Sequence, residues 1–341
     1  MTDATGAKAP PAPTHRGSRW RRLALWAIVI ELVGFAVYVG ALLLGETSRV
    51  TMIALYLPRH PLLAVAIAGG VLSLFTRWRP SRGPITGARV LAGLHVALAL
   101  FVLFSLMGFS LGRTRESSNR IRLASYNIYF GKLSRSALMD ELAAMDVDIL
   151  LLQATYDSLG DLKQRFPDRS THRADDFVIV TRFPIKSVEV PPLLADGELP
   201  KFVGYVLDTP SGPLRIYNVH PFSPRHALFG KNEASDNIAH REAQIEAAVW
   251  SARSDGPPFI LAGDTNLPPW SAIGRRHLGG LDDAFAEAGF GLGYTFPAKR
   301  PWMRIDRAFS DERIRFLDAR VGPRGASDHR PLFIDFEILR Q

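Results

Sequence analysis

Residues 263–271, Gly-Asp-Thr-Asn-Leu-Pro-Pro-Trp-Ser, close the apolar run Pro257–Ala262 and decide how the rest of the chain reads. Asp264 and Asn266 stand two apart, which predicts that both face the same side of an extended segment. Five more short polar motifs punctuate the C-terminal two-thirds. They are Ser-Tyr-Asn at 125–127, Leu-Leu-Leu-Gln-Ala-Thr at 150–155, Asn-Val-His at 218–220, Arg-Ile-Asp at 304–306 and Ser-Asp-His at 327–329. Each follows or interrupts a short apolar run, which puts polar side chains at strand ends, where distant segments converge. Carboxylates and amides as oxygen donors, with a histidine beside them, build a hard-cation site of the kind that serves phosphoester hydrolysis.

In this order and wording the motifs resemble the endonuclease/exonuclease/phosphatase superfamily, the fold of DNase I-like nucleases, inositol-polyphosphate phosphatases and neutral sphingomyelinases. The resemblance covers about residues 120–338. A Gly-Asp-x-Asn box running into Pro-Trp-Ser is similar to the bacterial membrane-anchored branch. The implied fold is a DNase I-like four-layer α/β/β/α sandwich, two facing mixed sheets with helices outside. Here an N-terminal transmembrane region of about three helices would precede it.

The resemblance also implies roles. His329 matches the residue that activates or orients the attacking water, and imidazole titrates close to working pH. Asp306 matches the carboxylate that holds this ring in the right tautomer, as a triad's acid does. Asp328 matches an acid that binds or supports the metal, and Asn127 a position next to it. Asp264 matches a contact to the attacking water or metal, and Asn266 a holder of the phosphoryl oxygens. His220 matches a donor to the phosphate as charge develops in the transition state. Arg241 and Gln244 match a pair read as structural bracing. The implied cofactor is Mg²⁺ or Mn²⁺.

One position departs from the pattern. Where the family has Glu, its principal carboxylate ligand to the metal, this chain has Ala154. Three accounts fit: a substitution made to inactivate the protein, a natural chain that binds its ligand without turnover, or a neighbouring acid that supplies the ligand. Asp157 and the Asp175-Asp176 pair are the candidates for the third.

Net charge is +8, yet residues 1–112 hold 11 Lys or Arg against 3 Asp or Glu, leaving 30 of each in residues 113–341. The basic balance therefore belongs to the N-terminal region and not to a polyanion-binding groove. Polymeric DNA, which calls for a strongly basic groove, is disfavoured against a lipid or lipid-linked phosphoester; an extracellular nuclease is the alternative substrate reading. The absence of cysteine fits an exported domain.

Residues 1–18 read as a disordered tail, 19–112 as the membrane region and 113–341 as the catalytic domain. Apolar runs at about 23–44, 51–75 and 90–111 are long enough to span. The middle one is interrupted by Pro58-Arg59-His60, so that either a kinked helix spans or 51–58 lies along the surface. Glu31 and His95 lie inside spans and read as interhelical contacts. Four Arg at 16–22 and Arg77, Arg79, Arg82 and Arg89 stand against Arg49 alone in the first loop. The positive-inside rule then puts the N-terminus in the cytoplasm and the catalytic domain outside a bacterial cell membrane. Beyond Arg122, strands are expected at 121–126, 147–152, 177–181, 202–207, 214–219, 259–262, 305–309 and 332–338, with helices at 134–145, 156–165 and 237–253. Aromatic residues at 268–270 and 294–302 suit either a membrane interface or a core.

Overall fold

The computed structural model describes residues 16–75, 86–230 and 234–339. Fifteen of the tail residues expected at 1–18 lie outside the described residues, and a helix, α1, begins at Arg16 and runs to Leu44. The chain divides into two compact units: one to Tyr38 with His60–Val102, the other Val39–Arg59 with Leu103–Gln341.

In the first unit, α3 (His60–Phe75) packs against α4 (Thr86–Leu100). Val29, Val33, Val65, Val71 and Val96 expose apolar side chains. Glu31 and His95 meet, their Oε2 and Nε2 3.4 Å apart, and Ser73 Oγ lies 3.4 Å from His95 Nδ1. Gly69 makes room for that pair, because a Cβ there would lie 2.4 Å from Glu31 Oε2. Leu25–Thr47 and Arg89–Leu106 are long and apolar enough to cross a membrane. The run expected at 51–75, with its interruption at Pro58-Arg59-His60, is α2 (Arg49–Tyr56) followed by α3. Pro58 forces the break: proline disfavours a helical conformation in the residue before it, and Leu57 is extended at ψ 147°. The run expected at 90–111 ends its helical course at Leu106, and Ser110–Leu111 (β1) pairs with Phe290–Gly291 (β11) in the second unit.

The second unit holds two six-stranded sheets. The first contains β2 (Ile121–Asn127), β3 (Ile149–Gln153), β4 (Ser170–Ala174), β5 (Phe177–Thr181), β13 (Ile314–Val321) and β14 (Leu332–Ile338), in the order β13-β14-β2-β3-β5-β4. The second contains β6 (Ile185–Glu189), β7 (Phe202–Thr209), β8 (Gly212–Val219), β9 (Phe259–Asp264), β10 (Asp282–Asp283) and β12 (Asp306–Ser310), in the order β10-β12-β9-β8-β7-β6. Each sheet has one parallel pair, β2–β3 and β8–β9, and is otherwise antiparallel. Leu123, Leu151, Ile216, Ile260 and Ala308 fill the space between the sheets. On the outer face of the first sheet, Leu150, Leu152 and Val178 pack with Leu138 and Leu142 of α5 (Arg135–Ala144). On the outer face of the second, Tyr217 and Leu261 pack with Ile245 and Val249 of the long helix Ala234–Arg253. This is the DNase I-like sandwich that the motifs imply.

Alternation positions the site. Leu123, Ser125 and Asn127 share one face of β2, as do Leu151 and Gln153 on β3, Ile216 and Asn218 on β8, and Ala262 and Asp264 on β9. Asp306 pairs directly with Asp264 across β12–β9. Apolar at mid-strand, the facing surfaces therefore become polar at one end of the sandwich.

Candidate active site

Two polar layers build this end. Deeper, Gln153 Nε2 donates to Asn218 Oδ1 at 2.7 Å and to Ser125 Oγ at 3.1 Å, while Asn218 Nδ2 donates to Leu152 O at 3.1 Å. These buried residues join the two sheets. One step farther along, Asn127 Nδ2 donates to Asp264 Oδ2 at 2.8 Å, again across the sheets. Gly263 permits the approach of β9 to β8, since a Cβ there would lie 2.0 Å from Val219 O.

Asp264 stands between two Asp–His pairs. His329 Nδ1 donates to Asp306 Oδ2 at 2.8 Å, leaving Nε2 3.6 Å from Asp264 Oδ2. His220 Nδ1 donates to Asp176 Oδ2 at 2.8 Å, leaving Nε2 3.7 Å from the same Asp264 oxygen. In each pair the carboxylate fixes the tautomer and turns the other ring nitrogen to the site. Phe296 covers His329, its ring centroid 4.7 Å from the imidazole, and Arg225 lies over Phe296 with Nη2 3.8 Å from Asp328 Oδ2.

Burial alone would lower the pKa of His329, but Asp306 and Asp264 outweigh it and carry it up to about 9. Burial also opposes protonation of His220, and the Asp176 hydrogen bond and the Asp264 charge reverse that. Asp264 and Asp328 are both raised, chiefly by burial. Burial pushes Asp176 the same way, yet the His220 hydrogen bond and charge, with Lys201, hold it below the usual carboxylate range.

The structure brings Asn127, Asp264, Asp306, Asp328, His329 and His220 to one place. Ligand atoms of Asp264, Asp306 and His329 all lie within 4.8 Å of one another. Asp328 Oδ1 is buried and, among the described residues, has no hydrogen-bond partner. Two buried carboxylates, one of them with an orphaned oxygen, fit a divalent cation. Asp264, Asp328 and Asn127 would hold it.

Several expectations need correction. Asn266 does not continue an extended segment: β9 ends at Asp264, and Asn266 is left-handed at φ +51°. Its N–H donates to Asp264 Oδ1 at 3.0 Å, a short-range turn that aspartate favours. Its Nδ2 donates to Pro221 O at 3.0 Å, so the amide ties two site loops together. Asp176 is not a spare metal ligand, being committed to His220 and Lys201, and Asp175 lies 3.2 Å from Lys201 Nζ. The Asp157 side chain lies outside the described residues. Ala154 is buried and left-handed at φ +53°, where the chain turns out of β3, and its carbonyl accepts from Phe130 N at 2.8 Å. Arg241, expected as structural bracing, braces a site loop: its Nη2 donates to Asn266 O at 2.9 Å. Lys201, Arg225 and Phe296 went unread as site residues, and Asp176, read as a spare ligand, is instead the partner of His220. None sits in a box, and only Asp176, two residues before the apolar run 178–180, carried a signal.

The interface aromatics have other duties. Trp270 Nε1 donates to Ser105 O at 2.8 Å, Trp302 Nε1 to Tyr56 O at 3.3 Å, and Tyr294 hydroxyl to Met107 O at 3.0 Å. They hold the backbone at Tyr56 and at Ser105 and Met107.

The uncharacterized protein YbhP of Escherichia coli K12 is 30% identical over 169 residues, which are 47% of this chain and 62% of that protein's length. Among solved structures, a humanized D. rerio TDP2 superposes with a TM-score of 0.51 at 18% identity, over 64% of this chain and 100% of that one. A functionally unknown conserved protein from Enterococcus faecalis V583 gives 0.51 at 15% identity, over 64% and 100%. Both share the fold. The sequence profile of the Endonuclease/Exonuclease/phosphatase family matches residues 124–329, more than half of the chain, and the protein belongs to that family.

Proposed function

We propose that the protein is a membrane-anchored phosphoester hydrolase, dependent on Mg²⁺ or Mn²⁺, acting on a lipid or lipid-linked phosphoester at the outer membrane surface. The observation that carries the chemistry is Asp264 flanked at 3.6 and 3.7 Å by two histidines, each oriented by its own carboxylate. A divalent cation, when bound, supplies charge to polarise a phosphoryl oxygen. His329, held by Asp306, takes a proton from water at Nε2. His220, held by Asp176, donates from Nε2 to a phosphoryl oxygen. Asn127 and the Asn266 N–H hold the Asp264 carboxylate from opposite sides, so that its position survives substrate exchange. The neutral balance of residues 113–341 supports a membrane-borne phosphoester over a nucleic acid.

Ala154 favours a second reading, a catalytically weak module that binds a phosphorylated ligand. The two readings part in one experiment. Hydrolysis of lipid, nucleotide and nucleic-acid phosphoesters is compared, with Mg²⁺ or Mn²⁺, between the solubilised chain and Ala154→Glu. The enzyme reading expects metal-dependent turnover, raised at least about tenfold by the glutamate, the low end of effects seen around metal sites. Inertness of both forms with retained phosphoester binding supports the module. Nucleic acid as the preferred substrate overturns the lipid assignment alone.

A further inference from the structure

The helix α2 lies between two apolar helices in sequence, yet it belongs to the catalytic unit and reaches the loop that carries Asn266. Tyr56 hydroxyl donates to Asn266 O at 2.6 Å. Arg241 Nη2 donates both to that carbonyl, at 2.9 Å, and to the Tyr56 oxygen, at 2.6 Å. The directions are fixed, because guanidinium can only donate: the phenol oxygen accepts from Arg241, and its O–H donates to Asn266 O. Arg241 is fully buried and, among the described residues, forms no ion pair with a carboxylate. Its solvation therefore comes from neutral acceptors, and α2 provides one in Tyr56 oxygen, with Met52 Sδ 3.9 Å from Nη1. The carbonyl so clamped belongs to the left-handed Asn266, a conformation that persists in a non-glycine residue when its surroundings hold it.

We infer that Tyr56 is a positioning residue of the catalytic site, setting Asp264 through the backbone of Asn266. The chain of contact is short. Tyr56 and Arg241 fix the Asn266 peptide, the Asn266 N–H fixes Asp264 Oδ1, and Oδ2 is left to face Asn127, His220 and His329. Trp302, whose indole N–H holds Tyr56 O, anchors the same point of α2. The N-terminal region is then a working part of the site as well as an anchor. For its effect on turnover the inference rests on the hydrolase reading; for the loop geometry it does not.

The test uses the full chain in detergent, comparing Tyr56→Phe with Arg49→Ala. Arg49 stands on the same helix, away from this network, its Nη2 3.4 Å from Gly230 O. Three quantities are read: amide hydrogen exchange over residues 263–267, Mn²⁺ affinity by electron paramagnetic resonance, and kcat and KM in the Ala154→Glu background. Tyr56→Phe is expected to speed exchange at 263–267 about tenfold, the weight of one buried hydrogen bond. It should also weaken Mn²⁺ binding about tenfold and lower kcat with KM little changed, while Arg49→Ala moves none of them. Unchanged exchange and affinity in Tyr56→Phe overturn the inference. So does an equal rise of exchange throughout the sandwich, which marks a merely structural role. If Tyr56→Phe does not fold, Trp302→Phe takes its place, with the same localised pattern expected and the same results overturning it. Localised exchange with no hydrolysis in any variant sinks the hydrolase reading and leaves the positioning role standing. Hydrolysis with kcat, exchange and Mn²⁺ affinity unmoved does the reverse.

Discussion

His329 carries two opposing influences, burial that expels its proton and two carboxylates that keep it, and the carboxylates win. Its folded-state pKa of about 9 stands above the 6.5 of the unfolded chain. The stability it contributes is thus fully present below pH 6.5 and is lost as pH rises through 9. In chelator, the midpoint of thermal unfolding should fall over that window, and Asp306→Asn should flatten part of the fall; an identical slope in the variant would show that Asp306 does not hold the proton. Cation binding beside Asp264 and Asp328 opposes the same proton, so Mg²⁺ uptake should release protons between about pH 7 and 9, read by calorimetry in buffers of different ionisation enthalpy. In an active background, His329→Ala and Asp306→Asn should each cost about 10²–10⁴-fold in turnover. The double variant should lose little more than the worse single one, because the two act as a unit. Losses that multiply would mean that they do not. Most of these residues were legible because each lies in a box whose order resembles a family. Asp176 was legible only as a spare ligand and not as the partner of His220, because that role depends on a fold that brings the two together from 44 positions apart.

At the scale of elements, the strands on either side of the site were readable because their apolar runs are buried on both faces, as Ile149–Gln153 and Phe259–Asp264 are throughout. The missed strands are those with polar or charged residues on an outer face: Ser170–Ala174 and Ile185–Glu189 at sheet edges, and Ile314–Val321, where Arg315 and Arg320 are exposed. The helix expected at 156–165 is two short turns, Tyr156–Leu159 and Leu162–Arg165, interrupted at Gly160, whose φ is +64°. The break in the segment expected to span at 51–75 falls at Pro58, where its sequence left either a kinked span or a surface helix open, and Met52 and Leu55 of α2 are buried in the protein. Between the sheets, the Gln153–Asn218 bond is the test of how polar groups join two layers. Asn218→Leu takes from the Gln153 amide its acceptor in the other sheet, leaving it Ser125 Oγ, and should cost about 1–3 kcal/mol in denaturant unfolding. Adding Gln153→Leu should recover part of that loss, since removing both partners leaves fewer buried groups unpaired. A double variant as unstable as the sum of the two singles would show that the bond carries no coupling.

For the whole molecule, membership of the two units constrains topology more tightly than charge does. Val39–Arg59 follows α1 and Leu103–Gln341 follows α4, yet the two segments fold as one unit and so lie on the same side of any membrane. The chain between them must leave and return, which makes α3 and α4 a pair that crosses together or not at all. Sixteen residues of α3 are described, His60–Phe75, about 24 Å of helix toward a hydrocarbon core of ~30 Å. Charge between the helices favours the crossing: Arg77, Arg79 and Arg82 lie between α3 and α4 and Arg89 near the start of α4, matching the four Arg at 16–22, against Arg49 and Arg59 between α1 and α3; Arg113, Arg115, Arg120 and Arg122 oppose it but flank a large domain, which translocates largely regardless of charge. The expected outcome is a reporter fused after Gln341 that is active only outside the cytoplasm, and one inserted between Arg79 and Arg82 that is active only inside it. If both report the outside, α3 and α4 do not cross and α1 alone anchors the protein. If the Gln341 fusion reports the cytoplasm, the catalytic unit faces inward, and a substrate on the outer membrane surface is excluded whatever the site can hydrolyse.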